Sequence, residues 1–337
     1  MRIYNVVVIG CGHMGKAHLE DIYFRDDIKI YGVVDICEEK ARLFAKRYGA
    51  LSYSTDFNQY IRDSKVDIVI IATYPSSHLY ILKKCIENGK HVLCEKPITT
   101  SLEDGEEFVR LVKSAKSKVL VGHILRHNES YKRIGDMIKN GAIGKPIIMR
   151  MVQNHHTIKR EKYLKLIEET SPIIDCGIHY IDVMRWFTGA EITNVSGVCQ
   201  RLSSDIPEGK YDYGIITAKL SDGSVAYYEA GWSNTMASSN VKEFVGPKGR
   251  ISLTFRENRY RDSEEGDLIE YYRYPEKTYE TININCKRKP TWEQLKHLII
   301  MIEEGTPAVP SIDDVFRSFY IAVKADEAIR KSITIDI

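Results

Sequence analysis

The sequence predicts an α/β fold joined to an α+β one: a doubly wound parallel sheet first, then a second domain built mostly from antiparallel strands. Three observations carry this. The chain has 337 residues, which at roughly 100–200 residues per domain means two domains. Residues 1–122 alternate short Val/Ile-rich runs with amphipathic stretches. From residue 123 that alternation stops, and hairpin signals take over towards Tyr274.

In the first part the strand-length runs are Ile3–Ile9, Lys29–Val34, Val66–Ala72, His91–Cys94 and Val119–Val121. They read as near-continuous apolar segments, the mark of parallel strands covered by helices on both faces. Met14–Phe24, Glu38–Tyr48, Ser77–Asn88 and Leu102–Ser114 supply those helices. In the second part Glu129–Lys139 reads as a helix ended at Asn140-Gly141. Ile147–Val152 follows Gly144-Lys145-Pro146 as an extended run, and Asp175–Phe187 reads as a helix stopped by Gly189. Gly214–Leu220 and Ser224–Ala230 flank the turn signal Ser221-Asp222-Gly223; Phe244-Val245 and Ile251–Phe255 flank Gly246-Pro247-Lys248-Gly249. Trp292–Glu304 and Asp313–Lys331 are the last two helices. The domains are therefore 1–122 and 123–337, with the C-terminal helices able to pack back on the first.

Composition narrows the function. Hydrophobic residues make up 43% and charged residues 28%, which excludes a long disordered or collagen-like chain. Forty-eight Lys and Arg against 46 Asp and Glu leave a net charge of +2, which argues against a dedicated nucleic-acid binder. The one basic cluster, Lys287-Arg288-Lys289, reads as a solvated turn before a helix. No apolar run approaches the ~18–20 residues of a membrane span. The first ten residues read as a buried strand and lack a signal-peptide cleavage site. The seven cysteines are odd in number, scattered and without a CxxC pair. That pattern predicts no disulfide framework, no structural zinc and a reducing cytoplasm.

Gly10-Cys11-Gly12-His13-Met14-Gly15 fits GxGxxG, and it follows a strand and opens a helix. In that context the first Gly permits the tight turn and the second lets a diphosphate approach the backbone. The third allows close helix–strand packing, with the helix N-terminus facing the phosphates. All six residues are cofactor-lining candidates; for His13 the alternative is a solvated helix start. Asp35, at the end of the second strand, is placed to accept the ribose hydroxyls and would repel a 2′-phosphate. Ile36 and Cys37 bring no compensating cation, so the cofactor is read as NAD rather than NADP. Thr73, Tyr74, Pro75 and His78 lie after the fourth strand and Glu95 and Lys96 after the fifth, at the carboxyl edge where ligands bind in such sheets. Structural roles are open for Ser76 as a helix cap and for His78.

Together Gly10–Gly15, Asp35, Thr73–His78 and Glu95-Lys96-Pro97 resemble the glucose–fructose oxidoreductase / inositol dehydrogenase / rhizopine-catabolism (Gfo/Idh/MocA) family. Val121–Asn128, Ile138–Pro146, Ile174–Asp182 and Gly246–Ile251 extend the resemblance over nearly the whole chain. It implies a Rossmann domain and a second domain on a large, mostly antiparallel sheet. It also implies that Lys96, Asp175 and His179 surround the reacting carbon. Asp175 and His179 are spaced i, i+4, so an α-helix would place them on one face. Asp182 is a second carboxylate near His179, and the residues alone leave open which one orients the imidazole; the resemblance favours Asp175 for the substrate side. Three positions depart from the family's pattern. Thr73-Tyr74-Pro75 stands where Thr-Pro-Asn is common. Glu169–Ile174 replaces a glycine-rich loop. Leu125 replaces an arginine, which leaves Arg126 as the remaining cation at the cofactor.

The resulting expectation is an NAD-dependent oxidoreductase acting on a secondary alcohol of a sugar, cyclitol or related polyol. His179 would take the hydroxyl proton, since an imidazole titrates near neutral pH. Lys96 would stabilise the developing alkoxide, and Asp175 would orient the substrate or tune the other two groups. The competing readings are a permanently bound NAD used for glycoside cleavage or sugar interconversion, and a non-catalytic dinucleotide or sugar sensor. The aromatic-rich strands 211–232 predict a sheet face buried between subunits of a homodimer or homotetramer. Tyr163, Trp232 and Asn234 are open to sugar contact or to packing. Two adjacent histidines, His155 and His156, leave a strand on opposite faces, and no His-x-His or HExxH spacing occurs, so no metal site is expected. Cys11, Cys94 and Cys176 fall inside the working motifs. They read as small buried fillers, with modification-sensitive thiols as the sharper alternative.

Overall fold

The computed structural model describes residues 2–155, 160–255 and 266–337. It forms two compact units, Met1–Ile124 with Lys289–Phe316 and Leu125–Arg288 with Arg317–Ile337. The chain thus returns to the first unit after building most of the second.

The first unit runs β1 (Tyr4–Ile9), α1 (His13–Ile22), β2 (Ile28–Val34), α2 (Glu38–Tyr48), β3 (Tyr53–Ser54), α3 (Asn58–Arg62), β4 (Ile68–Ile71), α4 (His78–Glu87), β5 (His91–Cys94), α5 (Leu102–Ser114) and β6 (Val119–Val121). The strands form one parallel sheet in the order β3-β2-β1-β4-β5-β6. This is the doubly wound order of the Rossmann fold, whose ligand crevice opens where the winding reverses, between β1 and β4. Every residue of β4 is fully buried, as its uninterrupted Ile-Val-Ile-Ile run requires. Local signals set the helix ends. Glu38 and Glu39 begin α2, Lys46 and Arg47 finish it, and Gly49 leaves it in the left-handed region at φ 68°. Ser101 caps α5 by accepting a hydrogen bond from the Asp104 amide.

The second unit contributes α6 (Glu129–Lys139), β7 (Ile148–Asn154), α7 (Arg160–Glu169), α8 (Ile178–Thr188), β8 (Ile192–Gln200), β9 (Tyr213–Leu220), β10 (Val225–Gly231), β11 (Ser239–Gly246), β12 (Gly249–Thr254), β13 (Asp267–Arg273) and β14 (Thr278–Ile284). After these come α9 (Thr291–Glu304), α10 (Ile312–Lys331) and β15 (Ile335–Asp336). Helix α9 belongs to the first unit. Its Leu295, Leu298 and Met301 join Val6, Val8, Leu93 and Leu120 in that unit's core, each such side chain contributing about 1.5–3 kcal/mol of burial.

Among the described residues the second sheet has nine strands in the order β14-β13-β12-β11-β7-β10-β9-β8-β15, antiparallel except for the β7–β10 pair. Its inner face carries Met149, Met151, Tyr228, Phe244, Ile251 and Ile269, all buried. Helix α8 lies on it: Tyr180 stacks on Tyr228 at 4.5 Å between ring centres and Phe187 meets Phe244 at 5.2 Å. The outer face is open, with Ile148, Val225 and Val241 exposed around an Arg150–Glu243 ion pair. β14 is largely exposed, so it lacks the apolar alternation that marks the other strands.

Candidate active site

The glycine loop is built by close approach. Gly10 sits at φ +104°, and a Cβ there would lie 2.4 Å from the Ala72 carbonyl oxygen. A Cβ on Gly15 would lie 1.8 Å from the Gly10 oxygen, whereas one on Gly12 would project into open space. The first and third glycines are therefore demanded by backbone packing, and the second leaves room for a ligand. Gly12 precedes α1 without a side-chain cap, and the first turn, including His13 and Met14, contains no acidic residue. An anion laid along this turn meets unfilled N–H groups at the positive end of the helix.

Asp35 is fixed beside this loop. Its Oδ2 accepts from the Cys11 amide at 2.7 Å and its Oδ1 from the Cys37 amide at 2.9 Å. An ionised carboxylate keeps further lone pairs after two such bonds, so hydroxyls can still be received. Ile36 beside it is 89% exposed. Burial, reinforced by Asp35, pushes the Cys11 thiol up to about 12.

The two neighbouring strand ends are tied together from within. Thr73 Oγ1 meets Ser77 Oγ at 2.7 Å, and Pro75 begins a short 3-10 turn after Tyr74. His78 is fully buried, with Nδ1 at 2.9 Å from the Pro97 carbonyl oxygen and Nε2 at 3.2 Å from that of Thr73. It braces the β4 and β5 exits instead of facing a cofactor, because both ring nitrogens point at backbone carbonyls. Glu95 also departs from the expected cofactor contact. Its carboxylate turns inward, 2.7 Å from His18 Nε2, and only 5% of the residue is exposed. Gly122 makes room for it: a Cβ there would lie 3.0 Å from Glu95 Oε2. Lys96, half-buried, is the next residue along.

Asp175 and His179 belong to the second unit. Ile173–Gly177 forms a π-helical turn that runs straight into α8. The simple i, i+4 face expected for Asp175 and His179 is thereby altered, since a π turn takes more residues per revolution; such turns recur at functional sites. Ser171 fixes the turn, its Oγ accepting from the Ile174 amide and its carbonyl from the Asp175 amide. The Cys176 thiol donates to Asp175 Oδ2 at 3.5 Å. Both Asp175 and His179 are half-buried.

Asp182 is committed elsewhere. Arg126 donates to it twice, Nε to Oδ2 at 2.8 Å and Nη2 to Oδ1 at 2.9 Å. Asp182 thus holds Arg126 through both carboxylate oxygens. Arg126, expected at the cofactor, forms this pair and packs over Trp186 at 4.8 Å. A bidentate carboxylate bond satisfies a planar guanidinium better than a diffuse contact would.

Trp232 is fully buried in a cluster with Ile167 and Ile206, and Tyr163 packs edge-on against it at 5.4 Å. These two pack; Asn234 is exposed. His155 lies 6.3 Å from the Tyr163 ring, and His156 falls outside the described residues. Among the described residues no group of three or more His, Cys, Asp or Glu is arranged to hold a metal ion. No described helix is long and apolar enough to cross a membrane. Sequence reading missed His18 and Lys242, neither of which lies in a recognisable motif.

Comparison with known proteins agrees with this architecture. Residues 4–123 match the family model described as oxidoreductase family, NAD-binding Rossmann fold, and residues 131–252 match the GFO/IDH/MocA C-terminal domain. The chain is 30% identical over 249 residues to a scyllo-inositol 2-dehydrogenase (NAD(+)) of Bacillus subtilis, covering 73% of this chain and 72% of that one. It is 23% identical to a myo-inositol 2-dehydrogenase of Thermotoga maritima, covering 98% and 97%. The crystal structure of myo-inositol 2-dehydrogenase from Lactobacillus plantarum shares the fold over the full length of both chains, with a TM-score of 0.83 at 19% identity. An oxidoreductase domain protein from Kribbella flavida does so with a TM-score of 0.84 at 20% identity. The chain belongs to the GFO/IDH/MocA family of oxidoreductases, with an NAD-binding Rossmann domain at its N-terminus.

Proposed function

We propose that this oxidoreductase is an NAD-dependent dehydrogenase of a secondary alcohol on a cyclitol or closely related polyol. The observation that carries the cofactor choice is Asp35. Its carboxylate is held at the glycine loop by two backbone amides, where it favours free ribose hydroxyls and repels a 2′-phosphate. The polyol assignment rests on the myo-inositol and scyllo-inositol dehydrogenases to which the chain is similar.

Gly10–Gly15, Asp35 and the Thr73–Pro75 edge would hold the dinucleotide, which when bound supplies the hydride acceptor. The chain's own residues manage the proton and the oxygen. His179 receives the hydroxyl proton, Lys96 stabilises negative charge growing on the same oxygen, and Asp175 orients the substrate or the imidazole. The deciding experiment follows formation of reduced cofactor with myo-inositol, scyllo-inositol and a panel of sugars, using NAD and NADP. Lys96→Met and His179→Ala are expected to lower kcat by about 10²–10⁴-fold while NAD still binds. Near-normal kcat in both variants, or a preference for NADP, defeats the proposal.

The open outer face of the nine-stranded sheet supports assembly as a homodimer or homotetramer. Ile148, Val225 and Val241 give it apolar character. Val225→Glu is expected to shift sedimentation towards the monomer. All seven cysteines are free thiols, and the reducing cytoplasm suits them.

A further inference from the structure

Lys96 stands out in its stretch of chain. From Val92 to Thr99 every other residue is buried, and Lys96 is half-buried. β5 ends at Cys94, and a further backbone bond, from the Glu95 amide to the Ile71 carbonyl at 2.9 Å, carries the ladder up to the lysine. Two buried histidines fix the chain on either side of it. Before Lys96, the Glu95 carboxylate meets His18 Nε2 at 2.7 Å. After it, the Pro97 carbonyl oxygen lies 2.9 Å from His78 Nδ1, whose other nitrogen lies 3.2 Å from the Thr73 carbonyl oxygen. A carbonyl oxygen only accepts, so the shorter contact assigns the ring proton of His78 to Nδ1. The two histidines are 1% and 0% exposed.

The rings come from different helices. His18 lies on α1, which the glycine loop opens, and His78 is the first residue of α4, which follows the turn through Pro75–Ser77. These helices follow β1 and β4, the strands between which the winding reverses. The backbone at Lys96 is therefore held relative to both sides of that crevice. Apolar side chains would fill the same interior at a lower desolvation cost. What the histidines add is direction, since each fixes one atom at hydrogen-bond distance. A lysine side chain is a flexible four-carbon stem, so the place of its head group depends on the backbone that carries it. For a group that must meet charge developing on one oxygen, a misplacement of about 1 Å is worth up to ~10²-fold in rate.

We propose that His18 and His78 are positioning residues for Lys96: acting through the Glu95 carboxylate and the Pro97 carbonyl, they hold the backbone on both sides of the lysine and set its ammonium relative to the glycine loop. This rests on the reading of Lys96 as the group that stabilises the alkoxide, and it adds two residues that act only through their partners.

The test measures NADH binding and NAD-dependent oxidation of the panel polyol that the parent protein turns over fastest, with kcat counted per NADH-binding site so that unfolded protein drops out. Two apolar variants remove the bonds: His78→Leu, and His18→Leu combined with Glu95→Met so that no carboxylate is stranded. Each is expected to lower kcat about 10–100-fold, with the NADH dissociation constant and the polyol KM within about twofold of the parent. His78→Asn can still donate to the Pro97 carbonyl and His18→Gln to Glu95, so both should keep kcat within about threefold of the parent. Introduced into Lys96→Met, the apolar changes should cost little more, because the group they place is gone. An equal fold-loss in the parent and in Lys96→Met overturns the proposal, since it marks packing damage independent of the lysine. So does parent-like kcat in both apolar variants, and so does loss of NADH binding in both, which would mean that the histidines hold the fold and not the lysine. If Lys96→Met itself keeps near-parent kcat, or the parent oxidises none of the panel, the catalytic reading of Lys96 fails and this inference falls with it.

Discussion

The His18 imidazole meets the Glu95 carboxylate in the interior of the first unit, Nε2 to Oε1 at 2.7 Å, with side chains only 1% and 7% exposed. His18 lies on α1, the helix opened by the glycine loop, and Glu95 immediately precedes Lys96. One buried bond therefore ties the cofactor-facing helix to the exit of β5. His18→Ala leaves a buried carboxylate without its partner and is expected to cost about 3–5 kcal/mol of unfolding free energy. His18→Gln, which can still donate, should recover part of that. Urea unfolding of the three proteins measures it; matching midpoints for His18→Ala and the parent would show that the bond contributes nothing.

Cofactor selection should follow from two adjacent residues. Asp35→Ser removes the carboxylate while keeping a small polar side chain, and Ile36→Arg places a cation on a side chain that is already 89% exposed. The double variant is expected to lose about tenfold in kcat/KM with NAD, one hydrogen-bonded contact's worth, and to gain at least as much with NADP. An unchanged NAD/NADP ratio would place the adenine-side ribose elsewhere.

What could be read from the sequence was what the chain encodes locally. Glu38–Tyr48 and Leu102–Ser114 end where their acidic starts, cap and left-handed glycine dictate, and the glycine loop followed from spacing. The His18–Glu95 and Lys289–His13 contacts join residues 77 and 276 apart, and no spacing rule reaches that far. β3 is two residues long, and β14 lies largely exposed at the sheet edge, so neither carries enough apolar alternation to be noticed. Arg126 is expected at the cofactor because the resemblance puts an arginine at the neighbouring position, where this chain has Leu125. Its buried carboxylate partner lies 56 residues away, and only the fold reveals that pairing.

That partnership gives a separate prediction. Asp182 is 1% exposed and Arg126 11% exposed by side chain, joined by two hydrogen bonds. Asp182→Ala strands a largely buried guanidinium and should cost about 3–5 kcal/mol, whereas replacing both residues by apolar ones of similar size should cost much less. A double-mutant cycle by chemical denaturation separates these cases. If the single and double variants lose stability additively, the pair is not coupled and Arg126 is released for other work.

The cysteines should divide by burial. Burial pushes the thiols of Cys11 and Cys85 up to about 12 and holds that of Cys94 well above its ordinary value. A thiol titrating near 12 is only about one part in 10⁴ thiolate at pH 8, and the thiolate is the reactive form. Cys37 is exposed. Iodoacetamide under native conditions is therefore expected to label Cys37 first and to leave Cys11, Cys85 and Cys94 unmodified, as peptide mass mapping would show. Rapid labelling of Cys11, suppressed by NAD, would contradict this and restore the view of that thiol as a sensitive group at the loop.

Lys242 supplies the pH signature. Only 1% of it is exposed, and its Nζ lies 2.6 Å from the Val152 carbonyl, 2.6 Å from Asn240 Oδ1, 3.0 Å from the Val241 carbonyl and 4.5 Å above the Tyr180 ring. Those acceptors favour the ammonium, but burial opposes it, and the nearby Arg288 adds repulsion; together they hold its pKa well below the ordinary lysine value. Between the lowered folded pKa and the ordinary value, the unfolded chain binds a proton that the folded protein does not. Stability therefore rises with pH through that window, by at most about 1.4 kcal/mol per pH unit from this one group, and is independent of the group below the folded pKa. Lys242→Met removes the titration while roughly keeping the volume. Urea unfolding of both proteins at several pH values from 7 to about 10 should show the parent gaining on the variant as pH rises. The tyrosines titrating in the same range cancel in the difference, so parallel curves would mean that Lys242 stays charged in its buried position.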